Sequence, residues 1–347
     1  MNKTFLLFLL LLTLTGTTCK DSNPVDGNCT NCPTKPDTTS HNFIWKLDTL
    51  GAEGSVVNDV AVISEKDIWV VGKFYRVPFG GNDTVAYNAM HWDGIKWELK
   101  TIIINNFGGY SSATPLTTIR AFDSTDIWVF SDAGSYGRYN GTSWQSAWVA
   151  ERQGGITRIW GESSNKLYFG GTNGSLTYWN GSTFTKLETG TTKNVIDMWG
   201  CGDSMLVSFQ DELKIVGGIT IKNYPQSGLS GSIYSIWHDC KEQTMYCITA
   251  VSGVMKKENG GSLWLPNSYA PIDAIRVRGV SPSDIYMSGV DGFIGHYNGS
   301  NWKSLRTIIP QPENGSVTWW GLSVKKETGA IIGLGASRSY ALRFEHF

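Results

Sequence analysis

The sequence repeats one short unit, and its clearest copy is residues 281–305, SPSDIYMSGVDGFIGHYNGSNWKSL. Two β-rich runs, Asp284–Gly289 and residues 293–297, are separated by the turn signal Val290-Asp291-Gly292. The pair Asn298-Gly299 precedes a further alternating run, and Asn-Gly favours the positive φ angles of a tight type I′ hairpin. Together with a β-like run upstream, the unit predicts four short antiparallel strands, A to D, in a meander.

The second strand of the unit recurs along the chain at a nearly constant interval. Its apolar or aromatic centres are separated by 59, 40, 38, 40, 40 and 46 residues. These centres are Trp69, Trp128, Tyr168, Leu206, Tyr246, Tyr286 and Ile332. A period near 40 with four strands per repeat is typical of a β-propeller, in which each repeat forms one blade. The sequence therefore predicts an all-β, seven-bladed propeller with four-stranded antiparallel blades.

The seventh repeat lacks a fourth strand in its own segment. Residues 340–344 match the third strand of a blade, and the sequence ends at Phe347. Residues 43–49, which precede blade one, belong to no repeat and resemble the fourth strand of the other units. We expect this N-terminal strand to complete the last blade, because it would pair an otherwise open sheet edge and close the ring.

The N-terminal residues 1–18 have the layout of a secretory signal peptide. Lys3 precedes an apolar run, residues 5–14, that is too short to span a bilayer with its flanks. Residues 16–19 (GTTC) resemble a bacterial lipoprotein cleavage site with Cys19 as the acylated residue, so we expect Cys19 to anchor the chain to a membrane. The alternative is an ordinary signal peptide that is cleaved nearby and leaves Cys19 free.

Residues 19–41 are polar and rich in proline, and they cannot bury a core. We therefore expect a lipid-anchored flexible tether that leads to the propeller, residues 42–347. The tether contains a C-x-x-C pair, Cys29 and Cys32, which could be a redox pair or half of a zinc site. In an exported chain a small local disulfide is the expected state.

Three further cysteines lie in the predicted propeller. Cys240 and Cys247 flank the A–B turn of blade five and could bridge it. A Cys201–Cys240 disulfide is the alternative, and we expect Cys201 to be a free, buried thiol.

The repeat layout of residues 43–347 resembles that of bacterial propeller lipoproteins with sialidase-like or WD-like units. This resemblance implies the fold but not the activity, because many activities share the layout. Sialidase-like enzymes carry Asp-box turns between strands C and D, and an Asn-Gly turn stands there in this chain. Lys20-Asp21 resembles the signals that send some lipoproteins to the cell surface, so the outer membrane or cell surface is the expected location.

The interval of 59 residues locates a candidate binding face, because it is longer than the common period. The extra length falls in the B–C loop of blade one, about residues 74–88, and in the D–A connection that follows it, about residues 105–115. Both lie on one face of the ring, and long loops on a rigid scaffold often bind ligands. The candidate binding residues are Tyr75, Arg76, Phe79, Asp83, Tyr87, Phe107 and Tyr110. The alternative is that these aromatic side chains pack the loops onto the ring.

The predicted inner strands supply a second group of candidates. Arg120 and Arg276 accompany a column of tryptophans, Trp160, Trp199, Trp237 and Trp320. This column could line a ligand site, but repeated aromatic side chains at such positions commonly pack between blades. Three aspartates of the same strands, Asp59, Asp197 and Asp273, are weighed as catalytic carboxylates or as partners of backbone N–H groups.

Other function classes have little support in the sequence. The net charge of −1 and the pI of about 6.5 argue against nucleic-acid binding. None of the five histidines has the spacing of a zinc-ligand pair, so neither a metal nor a cofactor is expected. We expect a monomeric, non-catalytic cell-envelope lipoprotein that binds a glycan or a protein. The alternative is a glycan-active hydrolase or lyase that uses the loop-rich face.

Overall fold

The strands expected from the repeats form seven four-stranded antiparallel sheets in the computed structural model. The structure describes residues 38–78, 80–81, 85–106, 108–241, 243–258, 261, 265–266, 273–312 and 315–347. The strands pair in chain order within each sheet, apart from the last, and the sheets follow one another as the blades of a ring. The predicted all-β, seven-bladed propeller is therefore confirmed. No helix among the described residues has the length and apolar character needed to cross a membrane.

The strands have the following bounds. The first strand is β1 (Phe43–Leu50), and blade one consists of β2 (Val56–Ser64), β3 (Asp67–Phe74), β4 (Tyr87–Trp92) and β5 (Trp97–Lys100). A short ribbon follows, made of β6 (Ile104–Asn105) and β7 (Ser111–Ser112). Blade two is β8 (Thr118–Asp123), β9 (Asp126–Phe130), β10 (Ser135–Tyr139) and β11 (Trp144–Trp148), and blade three is β12 (Ile156–Ser163), β13 (Lys166–Gly171), β14 (Leu176–Trp179) and β15 (Phe184–Lys186).

The second half of the ring continues in the same order. Blade four is β16 (Val195–Cys201), β17 (Ser204–Phe209), β18 (Glu212–Gly217) and β19 (Thr220–Asn223). Blade five is β20 (Ile233–His238), β21 (Met245–Thr249), β22 (Gly253–Lys257) and β23 (Leu265–Pro266). Blade six is β24 (Ala274–Ser281), β25 (Asp284–Gly289), β26 (Ile294–Tyr297) and β27 (Trp302–Ser304), and blade seven begins with β28 (Thr318–Lys325), β29 (Thr328–Leu334) and β30 (Ser339–His346).

The N-terminal strand β1 completes blade seven, as the sequence predicted. It pairs antiparallel with β30 along its whole length, from Phe43 opposite His346 to Leu50 opposite Ser339. The Arg343 guanidinium of β30 forms an ion pair with Asp48 of β1, with 2.5 Å between Nε and Oδ2. The first and last strands of the propeller thus lie in one sheet, which closes the ring by backbone pairing.

The core lies between neighbouring blades. The Trp160 indole of blade three packs with Val195 and Met198 of blade four, and the Trp237 indole of blade five packs with Val277 of blade six. A Cβ atom at Gly279 would lie 2.6 Å from the Trp237 ring, so the indole needs a glycine on the facing strand. These two tryptophans therefore pack between blades. The other two members of the column, Trp199 and Trp320, are partly buried and lie near the axis of the ring.

The C–D turns differ from the type I′ hairpins expected from Asn-Gly. In blade six the Asn298 carboxamide oxygen accepts hydrogen bonds from the backbone N–H groups of Ser300, at 3.0 Å, and Asn301, at 2.9 Å. The turn is a four-residue loop held by the asparagine side chain, with Gly299 at φ 89°. Positive φ angles at two successive residues, as in type I′, occur instead in B–C turns, for example at Asp291 (51°) and Gly292 (72°).

The cysteine pairing corrects one expectation. A disulfide joins Cys201 and Cys240, which links the A–B ends of blades four and five, and Cys247 is a buried free thiol. The predicted Cys240–Cys247 bridge and the free Cys201 are therefore wrong, and the Cys201–Cys240 alternative is right. Burial raises the pKa of the Cys247 thiol, which keeps it protonated. Cys19, Cys29 and Cys32 lie outside the described residues.

Candidate functional site

The inner strands of the seven blades surround a central channel of about 130 Å³. Its wall carries four arginines and two aspartates, so the lining has an excess of two positive charges. These residues are Arg120, Arg158, Arg276, Arg278, Asp59 and Asp197. The candidates Arg120 and Arg276 therefore face the channel, whose lining includes neither Tyr75 nor Tyr110. Whether these charged groups are available to a ligand depends on the hydrogen bonds that they already form.

Asp197 is the most tightly held of these charged groups. Its carboxylate is 1% exposed and accepts two hydrogen bonds from Arg278, Nη1 to Oδ2 at 3.0 Å and Nη2 to Oδ1 at 2.9 Å. The Arg276 Nη1 atom lies 3.4 Å from Oδ1. Burial alone would raise the pKa of Asp197, but the two guanidinium groups outweigh it and hold this pKa well below its usual range. Asp197 is therefore a buried, ionised carboxylate with both oxygens occupied.

Both channel aspartates also bind the next blade along the chain. Asp197 accepts hydrogen bonds from the Ser235 hydroxyl at 2.8 Å and the Ile236 N–H at 3.0 Å in blade five. Asp59 of blade one accepts the equivalent pair from Thr118 and Ile119 of blade two, at 2.8 and 3.0 Å. Of the two interpretations weighed for these aspartates, the structure shows the bonds to backbone N–H groups.

The channel arginines bind backbone carbonyl groups of neighbouring blades. Burial is the main cause that lowers the pKa values of Arg120 and Arg276 to about 10, so both stay cationic at neutral pH. With the aspartates and two serines they bridge every junction of the ring: Asp59–Thr118, Arg120–Gly161, Arg158–Ile196, Asp197–Ser235, Ser235–Val277, Arg276–Trp320 and Ser323–Val62. The polar lining of the channel thus bonds each blade to the next, and the buried Arg120 Nε is the part of it that has no hydrogen-bond partner among the described residues.

The long B–C loop of blade one leaves β3 through Tyr75 and Arg76. Tyr75 is half-buried. Its backbone N–H donates to the Ser55 hydroxyl at 3.0 Å, and its carbonyl accepts from the Ala52 N–H at 2.7 Å. Arg76 is exposed. Tyr87, where β4 begins, packs against the core of blade one. Phe79, Asp83 and the later candidate Phe107 lie outside the described residues.

The connection from blade one to blade two is held by a buried asparagine. The Asn88 amide nitrogen donates to the carbonyl groups of Ile102, at 2.8 Å, and Thr114, at 2.9 Å, while its oxygen accepts from the Ile102 N–H at 2.9 Å. One side chain therefore fixes both arms of the connection. Between the arms, the β6–β7 ribbon binds the outer strand of blade two through Asn105, whose N–H donates to the Ser146 hydroxyl at 3.1 Å.

A groove of about 480 Å³ lies between this ribbon and blade two, on the loop-rich face. Its lining consists of Asn106, Tyr110, Ser112, Thr114, Ala133, Trp148 and Arg152. Tyr110, a residue that the sequence singled out, is 64% exposed. The Arg152 guanidinium lies 5.5 Å from the Trp148 ring centre, and its Nη1 donates to the Gly154 carbonyl at 2.8 Å. The Arg152 Nε is buried and has no hydrogen-bond partner among the described residues.

The sequence predicted a residue of one wall of this groove but none of the other wall. Tyr110 lies in a connection whose extra length marks it. Trp148 and Arg152 lie where β11 ends, in a repeat of ordinary length, so no insertion pointed to them. The available signal was the aromatic Trp148, which follows the regular C–D aromatic Trp144 by one strand length.

A second cluster forms where the two ends of the propeller meet. Asp284, His296 and His346 are buried, and the atoms that could bind a metal ion lie within 4.8 Å of one another. The histidine spacing predicted no metal site, because the three residues come from β25, β26 and the end of β30 and only the closed ring brings them together.

No known family model matches the chain, and no curated protein sequence matches it. Solved structures share the fold at low sequence identity. YCF48 bound to D1 peptide is 12% identical with a TM-score of 0.63, covering 90% of this chain and 100% of that chain. The WD40 β-propeller domain of Doa1 is 11% identical with a TM-score of 0.64, covering 88% and 97%. YCF48 from Cyanidioschyzon merolae is 11% identical with a TM-score of 0.62, covering 87% and 98%.

Proposed function

We propose that this chain is a non-catalytic interaction propeller that binds an extended segment of a protein partner in the groove between blades one and two. One observation carries the proposal: the groove combines the exposed Tyr110 and the Trp148 ring with a buried Arg152 Nε–H that has no acceptor among the described residues. A buried donor without a partner costs about 1–3 kcal/mol, so an incoming acceptor gains the bond that the protein lacks.

The chemistry of the groove suits a peptide. Tyr110 and Trp148 offer aromatic surface to apolar or proline side chains, and Arg152 offers a donor to a backbone carbonyl or a carboxylate. Asn106, Ser112 and Thr114 add polar groups along the ribbon wall. A similar propeller, YCF48, binds the D1 peptide, which supports this class of ligand without identifying one. A glycan could use the same aromatic surface and is an outcome of the test.

A hydrolase that uses the channel carboxylates Asp59 and Asp197 has less support. Glycoside hydrolysis needs two carboxyl groups placed on either side of a bond. Asp59 and Asp197 each accept hydrogen bonds from the neighbouring blade, and Asp197 is ion-paired with arginine as well. A carboxylate whose oxygens are occupied in this way is a poor general acid or base, so these two residues favour binding without catalysis.

We further propose that the chain is exported and anchored through acylated Cys19 at the outer membrane or cell surface. The signal layout of residues 1–18 supports export, and so does the Cys201–Cys240 disulfide, since such bonds persist mainly in oxidising compartments. We expect Cys19→Ser to abolish incorporation of radiolabelled palmitate and to move the chain from the membrane fraction to the soluble fraction. Unchanged labelling would contradict anchoring at Cys19.

A peptide array and a glycan array probed with the full chain test the binding function. We expect peptides with apolar residues next to a carboxylate or a proline to bind, and Arg152→Gln and Tyr110→Ala to weaken them. The matched control is Ile95→Ala, which removes an 84% exposed side chain from a C–D turn on the opposite face. Binding that survives both groove variants, or that Ile95→Ala weakens equally, contradicts the proposal. Binding confined to the glycan array would mean that the ligand is a glycan and not a peptide.

A further inference from the structure

Blade six carries a buried group of nitrogen and oxygen atoms beside the ring closure. Asp284 Oδ1 lies 2.9 Å from His296 Nε2 and 3.5 Å from His346 Nδ1. His296 is 0% exposed, and the other two side chains are nearly as buried. The Phe43 ring of the closing strand stacks on the His346 ring, with 4.5 Å between centroids. The cluster is therefore shielded from solvent by the strand that completes the propeller.

Other blades contain part of this arrangement. In blade one, His91 Nε2 lies 2.9 Å from Asp67 Oδ1, and in blade two, Arg138 Nε lies 3.2 Å from Asp126 Oδ1. A cross-strand pair of aspartate with a basic residue is thus part of the repeat. Blade six differs because His346, from the last strand, faces the same aspartate oxygen. Blade one therefore supplies a natural control for what the third side chain adds.

The outer nitrogens of both histidines face acceptors. His346 Nε2 lies 3.0 Å from the Ser40 carbonyl oxygen, so it carries a proton and donates, and in the neutral imidazole Nδ1 is then the lone-pair atom. His296 Nδ1 lies 2.8 Å from His41 Nδ1, and His41 Nε2 lies 3.0 Å from the Asn301 carboxamide oxygen. With His41 donating to Asn301, its Nδ1 accepts from His296, whose Nε2 is then the lone-pair atom.

This proton arrangement places acceptor atoms against one another. The His296 Nε2 lone pair faces an oxygen of the Asp284 carboxylate at 2.9 Å, and the His346 Nδ1 lone pair faces the same oxygen at 3.5 Å while it accepts from the Tyr286 hydroxyl. One extra proton could serve one of these contacts, whereas a metal ion satisfies all three atoms together. The Tyr286 hydroxyl, 2.9 Å from His346 Nδ1, is free to donate to the Asp284 carboxylate once a metal takes that nitrogen.

We propose that Asp284 Oδ1, His296 Nε2 and His346 Nδ1 bind a zinc-type divalent cation. Two imidazoles and a carboxylate form a common zinc ligand set, and metal bonds of about 2.0–2.1 Å place neighbouring ligand atoms about 3 Å apart. The observed separations from Asp284 are 2.9 and 3.5 Å, and the three ligand atoms lie within 4.8 Å of one another, so binding would draw them closer together. Each imidazole donates its other N–H to an acceptor, which is the usual way that ligating histidines are oriented.

The bound cation would join three parts of the chain. Asp284 and His296 belong to blade six, His346 ends the strand that pairs with β1, and Ser40 and His41 precede β1. Zinc at this position would hold the junction of blades six and seven and the segment that enters the propeller. Because the cation binds only the closed arrangement, it should stabilise the folded ring.

Zinc and cobalt(II) binding by the chelator-treated full chain tests the proposal. We expect one equivalent to bind, a cobalt spectrum with nitrogen and oxygen ligands and no thiolate charge-transfer band, and a rise in Tm of about 5 °C at a zinc concentration 100-fold above Kd. His346→Gln should lose this binding, whereas His91→Gln, in the matching pair of blade one, should keep it. His41→Gln removes only an orienting group and should weaken binding about 10–100-fold. This variant still tests the site if the His346→Gln chain fails to fold.

Three results would overturn the site. The first is the absence of stoichiometric zinc or cobalt binding by the wild-type chain, which would assign the cluster a shared proton. The second is equal binding by the wild type, His346→Gln and His41→Gln. The third is a thiolate band in the cobalt spectrum of the wild type together with loss of the metal in a Cys29→Ser, Cys32→Ser double variant. This result would place the metal at the C-x-x-C pair instead.

Discussion

Arginine and aromatic side chains meet both in the central channel and in the groove between blades one and two, and the two regions differ in what these side chains already bind. In the channel, Arg276 and Arg278 bind Asp197 and the backbone of neighbouring blades. In the groove, the buried Arg152 Nε lacks an acceptor among the described residues, and Tyr110 is 64% exposed. Charge near the axis therefore holds the ring together. A buried guanidinium Nε without an acceptor among the described residues occurs in both regions, at Arg120 and at Arg152, and in the groove it lies beside the exposed Tyr110, where a longer connection interrupts the repeat.

The largest effect is expected from deletion of residues 42–50, which tests the interactions that close the ring. The deletion removes the strand that pairs with β30 from Phe43 to Leu50 and leaves a sheet edge open. The loss should exceed the roughly 5–15 kcal/mol by which domains are stable, so the chain should not fold. Soluble yield and thermal unfolding measure this, and a cooperative transition at the wild-type Tm would show that closure is dispensable.

Asp197→Ala should destabilise the ring by about 3–5 kcal/mol, because it leaves buried arginines without their partner. Urea unfolding measures the loss. A variant that folds at all should keep the affinity of the groove for its peptide, since Asp197 lies in the channel. A stable Asp197→Ala chain with lost peptide binding would reverse the roles assigned to the two regions.

The same carboxylate predicts a pH dependence. The pKa of Asp197 in the folded chain lies below its unfolded value of about 3.9, so its stabilisation is complete above that pH and is lost as the pH falls towards the folded pKa. Between about pH 5 and pH 2, the free energy of unfolding should fall by on the order of 2 kcal/mol more in the wild type than in Asp197→Asn. Parallel acid profiles for the two chains would contradict the ion pair.

Asn88→Ala should affect the groove indirectly, by loosening the connection between blades one and two that forms one of its walls. The side chain holds Ile102 and Thr114, and loss of its buried hydrogen bonds should cost about 1–3 kcal/mol. We expect faster amide hydrogen exchange in residues 102–116 and weaker peptide binding, with blades three to six unchanged. Uniformly faster exchange across the ring would mean that Asn88 supports the whole fold rather than this connection.

Tyr110→Ala should give the smallest change in stability, within about 0.5 kcal/mol, because the side chain is largely exposed. Its effect should appear in binding, with an affinity loss of about tenfold, or 1.4 kcal/mol. Calorimetry with the strongest array peptide measures this difference. An unchanged affinity would leave Tyr110 outside the binding surface.

The sequence predicted the fold because the strands and turns recur with a fixed period, and it predicted the closing strand because one repeat was short. It did not predict contacts that depend on the closed ring. Cys201 and Cys240 lie one repeat apart in neighbouring blades, a relation that spacing alone could not separate from Cys240–Cys247. His41 and His296 lie 255 residues apart, and only the pairing of β1 with β30 brings them together.

The candidate site was predicted only in part, for a related reason. Loop length revealed Tyr110, because an insertion breaks the repeat visibly. Trp148 and Arg152 occupy a blade of ordinary length and face the insertion only after the ribbon folds onto blade two through Asn105 and Ser146. The inner-strand pattern predicted two of the four channel arginines, Arg120 and Arg276, and missed Arg158 and Arg278. The carbonyl groups that bind the arginines belong to other blades, so the pattern of one strand could not reveal them.

Ligand binding in the groove is tested by measuring the affinity of the strongest array peptide for the wild type, for Arg152→Gln in the groove and for Arg120→Gln in the channel. All three chains should first be shown to fold by thermal unfolding. We expect a loss of about tenfold or more for Arg152→Gln, since a charged hydrogen bond is removed, and no change for Arg120→Gln. A loss confined to Arg120→Gln would place the ligand in the channel and contradict binding in the groove.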